Sequence, residues 1–303
     1  RLARCYFGAS NEHRDPNPFT GFDPDDDNLG LDELALSSTR GTDKREAAQT
    51  AEPESAPKQP GPYPIINTAL NLVGGHNLAW QQRKALSFVF TPMYCGYHVV
   101  TRSGSKPRRG LDPNGYRPTS DYAERPSLAT AMAISGAAAS PNMGYHSSAP
   151  LAFLMTVFNV RLGWWFGNTR HPSCWRKAEP AFGLFYLLFE LFGRTDEERG
   201  YVYLSDGGHF ENLGIYELIR RRCHLIVVCD SGEDHDYKFG DLGNAIEKCR
   251  ADFGISIVDL DLDETFEPIA TGLSRKIASK LSLKRLEAQG SVTFVLKGRL
   301  EGA

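Results

Sequence analysis

The spacing of apolar residues changes period several times along the chain. The clearest succession lies at 201–230, YVYLSDGGHFENLGIYELIRRRCHLIVVCD. Tyr201–Leu204 is β-prone, and Ser205-Asp206-Gly207-Gly208 breaks the run with two glycines that tolerate positive φ. From Asn212 the spacing turns helical. Leu213, Tyr216 and Ile219, joined by Ile215 and Leu218, share one side and leave Glu217, Arg220 and Arg221 outside. Asn212 suits an N-cap, and Arg220–Arg222 complement the negative end of the helix dipole. Leu225–Cys229 is a continuous apolar run, as expected of a parallel strand buried on both faces. The pattern predicts a βαβ unit with Asp206 at the carboxyl end of its first strand, where open α/β sheets place their chemistry.

The same patterning places further elements. Pro64–Gly96 holds two apolar segments around Gly74-Gly75, with Ser87–Phe90 strand-like before Pro92. Residues 102–125, rich in Gly, Pro and Arg, read as loop. Leu128–Ala139 is a run of small residues suited to tight packing or a binding wall. Ala149–Gly167 is the most apolar segment, and Ala181–Gly193 is a second, shorter one. Both fall short of the roughly 18 apolar residues of a spanning helix and read first as buried helices. Trp164-Trp165, with Arg161 and Arg170 nearby, keeps peripheral membrane contact through Ala149–Gly167 open. Asp241–Phe253 is an amphipathic helix with Leu242, Ala245, Ile246, Cys249 and Phe253 on one face. Ile255–Leu262 reads as a strand, and Val292, Phe294 and Leu296 alternate as another.

Composition sharpens this picture in three places. Residues 42–61 contain no aromatic residue, Ile, Leu or Val and read as disordered. The chain therefore divides into an amino-terminal segment at 1–41, a linker or insertion at 42–62 and a main domain at 63–303. Asp23, Asp25, Asp26, Asp27, Asp32 and Glu33 make a solvated acidic loop; a calcium loop fails because Leu34 occupies the position needing a bidentate Glu. The six cysteines form no CxxC pair, which argues against zinc or a disulfide framework and for a reducing cytoplasm. A net charge of -3 gives no reason to expect a nucleic-acid partner. The chain opens on Arg1 rather than Met and reads as part of a longer protein.

Asp206 is the sharpest chemical candidate. An acid held at a strand end by Gly207-Gly208 can serve as the general base for a serine; the competing reading is an Asx turn in which it only satisfies turn amides. His209 and Glu211 form an HxE triplet, with Cys223 and His224 beyond it, but no third convergent metal ligand is placed by spacing. Asp230 reads as a turn former, and Asp259, Asp261 and Asp263 as one solvent-facing strand face. There is no GxGxxG, no GxxxxGK[ST] and no GxSxG, and the serines beside glycines, Ser135 and Ser205 among them, fit no nucleophile elbow.

DGGHFENLGIYELIRRRCHLIVVCDSG nevertheless resembles the closing part of the catalytic domain of patatin-like phospholipases, in the branch close to cytosolic phospholipases. PIINTALNLV, LAWQQRKALSFVFTPMYCG, AISGAAASPNMGY, LGWWFGN and DLGNAIEKCRADFGI are similar to the same branch. The resemblance implies an α/β fold: a partial patatin-like α/β/α sandwich with a mostly parallel central sheet, its nucleophile-elbow part absent. It implies a lipid acyl hydrolase acting through a Ser–Asp dyad without metal or other cofactor. Asp206 would be the dyad base, supported by Gly207 and Gly208, and the GxSxG serine would lie outside these residues. The substrate implied is a phospholipid or another lipid ester. The alternative is a non-catalytic scaffold or membrane-binding protein of the same fold.

Overall fold

The computed structural model describes residues 15–19, 21, 23, 28–35, 62–72, 83–98, 111–137, 163–192, 194–230, 232, 239–262 and 296–301. The chain forms two compact units, Arg1–Phe210 and Glu211–Ala303.

The first unit is built on one six-stranded sheet. Its strands are β1 (Ile66–Asn71), β2 (Ala85–Phe90), β3 (Tyr94–Tyr97), β4 (Tyr116–Pro118), β5 (Trp164–Gly167) and β6 (Tyr201–Asp206). They lie in the order β4-β3-β2-β1-β6-β5, and each neighbouring pair is antiparallel. The sheet curls into a half-barrel. This overturns the expected mostly parallel α/β/α sandwich. Apolar periodicity reports that a segment is buried in a sheet, but not which strand it meets or in which direction. Here β6 pairs with β1 and β5, and both contacts are antiparallel.

Strand alternation divides the side chains between two faces. On one, Leu70, Leu86, Phe88, Phe90, Val202 and Leu204 enter the main core. There Tyr122, in a 3-10 turn at Tyr122–Glu124, stacks on Phe166 with centroids 6.0 Å apart. Helix α1 (Leu128–Ser135) adds Ala131 and Ile134 to this core. The hydroxyl of Ser127 caps α1 by accepting from the amide of Thr130 at 3.1 Å. On the other face, Trp165, Tyr201 and Tyr203 pack with Tyr186 and Phe189 of helix α2 (Gly183–Leu191). The edge strand β4 lies inside the stretch expected to be loop. Gly96, at φ 149°, and Gly115 permit its approach: a Cβ on Gly96 would stand 2.0 Å from the carbonyl oxygen of Gly115.

The tryptophan pair divides. Trp165 is buried, whereas Trp164 is 46% exposed at the start of β5. The helix expected through Ala149–Gly167 thus ends as a strand, and 149–162 lies outside the described residues. So do 42–61, Gly74-Gly75 and the expected strand at 292–295. No helix among the described residues is long and apolar enough to cross a membrane. The acidic loop is not wholly solvated: Asp23 is buried and accepts from the amide of Asp15 at 2.9 Å.

The second unit contains α3 (Ile215–Arg220), α4 (Gly240–Phe253) and a two-stranded antiparallel sheet of β7 (Ser256–Leu262) and β8 (Leu296–Glu301). Helix α4 and strand β7 fall where the pattern puts them. Helix α3 starts three residues after Asn212, with Gly214 at the N-cap. Its Tyr216 packs on Phe253 of α4, centroids 4.7 Å apart, and donates its hydroxyl proton to Asp252 at 2.7 Å. Glu217, expected outside, is buried because Arg220 and Arg221 both pair with its Oε2. Leu225–Cys229 forms no strand, and Leu225 and Val227 are 82% and 78% exposed. Apolar, β-branched residues mark a segment that favours a sheet, yet no ladder forms on them here. The expected βαβ unit is therefore absent.

Candidate active site at the Asp206 turn

Strand β6 delivers two polar residues to its carboxyl end. Its register with β1 sets Ser205 opposite Ala69 and Asp206 opposite Thr68. Consecutive strand residues project to opposite faces, so Ser205 shares a face with Tyr203 and Asp206 shares one with Leu204.

At Asp206 the chain enters a 3-10 turn, Gly207–His209. Oδ1 of Asp206 accepts from the amide of Gly208 at 2.7 Å, and the amide of Phe210 donates to the carbonyl of Gly207 at 3.0 Å. This is Asx-turn geometry. Asp206 is half-buried, and its Oδ2 has no hydrogen-bond partner among the described residues. The glycines serve differently from the sequence expectation, since neither adopts positive φ. Gly207 is required by close approach: a Cβ there would stand 2.7 Å from the carbonyl oxygen of Asn67. That oxygen also accepts the hydroxyl proton of Ser135, at 2.7 Å, from the end of α1.

On the other face, Asn71 Nδ2 donates to Ser205 Oγ at 2.8 Å, and Ser205 Oγ lies 2.8 Å from His209 Nδ1. Which of Oγ and Nδ1 donates in that contact follows from the His209 tautomer. The bond joins the two ends of the turn. A serine hydroxyl on an imidazole nitrogen is also the contact of a nucleophile with its base. Here, however, Ser205 is fully buried and Asp206 projects from the opposite face, so the three do not form a Ser-His-Asp relay. The sequence reading passed over this network. Its available signal was Asn71, a polar residue following Ala69 and Leu70 at the end of β1.

The HxE pair is split between two structural tasks. His209 bonds Ser205, while Glu211 accepts from the amide of Tyr216 at 3.1 Å at the start of α3. Burial pushes the Glu211 carboxyl above its ordinary range against the pull of these amides and of Lys248. No cluster of His, Cys, Asp and Glu that could hold a metal ion occurs among the described residues, and Cys223 and His224 join none. Burial also pushes the thiols of Cys95 and Cys249 up to about 12, which leaves both protonated and poorly nucleophilic near neutral pH. Asp230 forms the expected turn, accepting from the amide of Gly232 at 2.8 Å. Asp259 and Asp261 lie on β7, whose register shifts between Val258 and Asp261; Asp263 lies outside the described residues. No protein-family model, curated protein or solved structure matches the chain.

Proposed function

We propose that Asp206 is the general base of a lipid ester hydrolase whose nucleophilic serine is supplied by polypeptide outside these 303 residues. The observation that supports this reading is the state of the Asp206 carboxylate. Gly208 holds Oδ1, which fixes the side chain, while Oδ2 is left to accept a proton. The resemblance of the DGGHFENLG block to patatin-like phospholipases supplies the substrate class, a phospholipid or another lipid ester. The antiparallel sheet lends that resemblance no support, so the proposal stands on the motif and the turn.

In this reading Asp206 takes the proton of the serine hydroxyl as its oxygen attacks the ester carbonyl. Asp206 returns that proton to the departing alkoxide, which leaves as the alcohol, and then deprotonates the water whose attack on the acyl-serine releases the fatty acid. The chain alone should form no adduct with a fluorophosphonate. The product of the full reading frame should form one, and should hydrolyse phospholipid and lysophospholipid esters. Asp206→Asn should lower kcat by about 10²–10⁴-fold there. Retention of kcat in that variant removes Asp206 from the chemistry. Absence of both adduct and hydrolysis in the full product favours the non-catalytic, membrane-binding alternative.

A further inference from the structure

Apart from Gly183 and Glu190, helix α2 consists of apolar and aromatic residues. Its inner side is accounted for: Tyr186 meets Trp165 and Tyr201, with centroids 4.7 and 5.3 Å apart, and Phe189 meets Tyr186 at 5.6 Å. Leu184, Phe185, Leu188 and Phe192 follow at i, i+1, i+4 and i+8, a stripe about 100° wide on another side. Phe192 continues the helical turn through its amide, which donates to the carbonyl of Leu188 at 3.0 Å. These four are 70%, 61%, 41% and 67% exposed, and Phe182, just before the helix, is 73% exposed. A helix with so few polar positions is ordinarily enclosed. Exposed large apolar side chains scattered singly need no explanation, but five within eleven residues form a contiguous patch.

The charges around the patch indicate what covers it. Of the charged residues of 163–200 whose exposure is described, Arg176, Lys177, Glu179 and Arg194 are exposed. Arg194 follows α2 directly, its amide bonded to the carbonyl of Phe189 at 2.8 Å. The carbonyl of Lys177 accepts from Gly167, at the end of the strand that carries Trp165. Two acids just beyond α2 are withdrawn: Asp196 is paired with Arg199 at 2.7 Å, and Glu197 is buried. An aromatic and leucine-rich stripe beside exposed cations complements acyl chains beneath anionic headgroups.

We infer that the outer face of α2 docks this protein on an anionic phospholipid surface, with Leu184, Phe185, Leu188 and Phe192 entering the interface and Arg194 meeting the headgroups. This site is distinct from the Asp206 turn and does not depend on hydrolysis.

The test is co-sedimentation of the full chain with mixed phosphatidylcholine/phosphatidylglycerol vesicles, alongside light scattering in their absence. The wild-type chain should bind these vesicles and bind pure phosphatidylcholine more weakly. Leu184→Ser combined with Phe185→Ser should reduce binding by about tenfold or more with an unchanged circular dichroism spectrum, because both side chains are already in solvent. Arg194→Glu should weaken binding to the mixed vesicles only. Vesicle binding equal to wild type in the double serine variant overturns the inference. So does a wild-type dimer that the double variant makes monomeric without loss of vesicle binding, which would assign the face to a second copy of the chain.

Discussion

Asn71 and Ser205, 134 positions apart in the chain, meet at 2.8 Å, amide Nδ2 to hydroxyl Oγ, across the β1–β6 pairing. Both are fully buried, and Ser205 passes the connection to His209 at the far end of the Asp206 turn. The turn is thereby tied to β1 by a side-chain bond as well as by the backbone ladder.

Asn71→Ala should lower the unfolding free energy by about 1–3 kcal/mol, since it removes the donor from a buried polar pair. A double-mutant cycle with Ser205→Ala should return a coupling of at least about 0.5 kcal/mol. Urea denaturation of the four proteins measures both quantities. Strictly additive losses would show that the contact contributes nothing of its own.

Gly207→Ala should destabilise by about 1–3 kcal/mol, because the new Cβ meets the backbone oxygen of Asn67 and not a movable side-chain tip. Yielding there would also stretch the bond from Ser135 to the same oxygen. Gly243→Ala supplies the contrast. It lies inside α4 with nothing within 4 Å of the added Cβ, and should stabilise by about 0.5–1 kcal/mol. Thermal or urea unfolding that ranked the two variants in the reverse order would refute the close-approach account of Gly207.

Glu211 links stability to pH with a definite sign. Its folded-state pKa is raised, chiefly by burial, above the ordinary 4.5, so folding favours the protonated carboxyl. The stability it contributes is complete below that ordinary value and is lost as pH rises through the folded-state value. The unfolding free energy of wild type minus that of Glu211→Gln should therefore decline over the interval of rising pH that starts at that ordinary value. A difference that stayed level or grew over that interval would contradict the raised pKa.

The amino-acid sequence by itself determined the local elements whose signal is local. Ser87–Phe90 and Tyr201–Leu204 fall in strands because compact β-prone runs are bounded by turn formers, although the second strand runs on through Asp206. Gly240–Phe253 is a helix because its apolar residues return every three or four positions. The Asx turn at Asp206 was likewise legible, since a carboxylate two residues before an amide closes on it within a few bonds. Only the tertiary structure decided what those elements meet. Strand direction, the exposure of Leu225 and Val227, the burial of Glu217 and the Asn71–Ser205–His209 connection all depend on groups brought together by the fold. Periodicity records how often a segment turns toward an apolar environment. It carries no record of which backbone amides answer its own, because every residue except proline offers the same donor and acceptor. Asp206 could be picked out from its neighbours, but the β1 backbone that requires glycine beside it, and the separate faces given to Ser205 and Asp206, follow from an antiparallel pairing that no local pattern encodes.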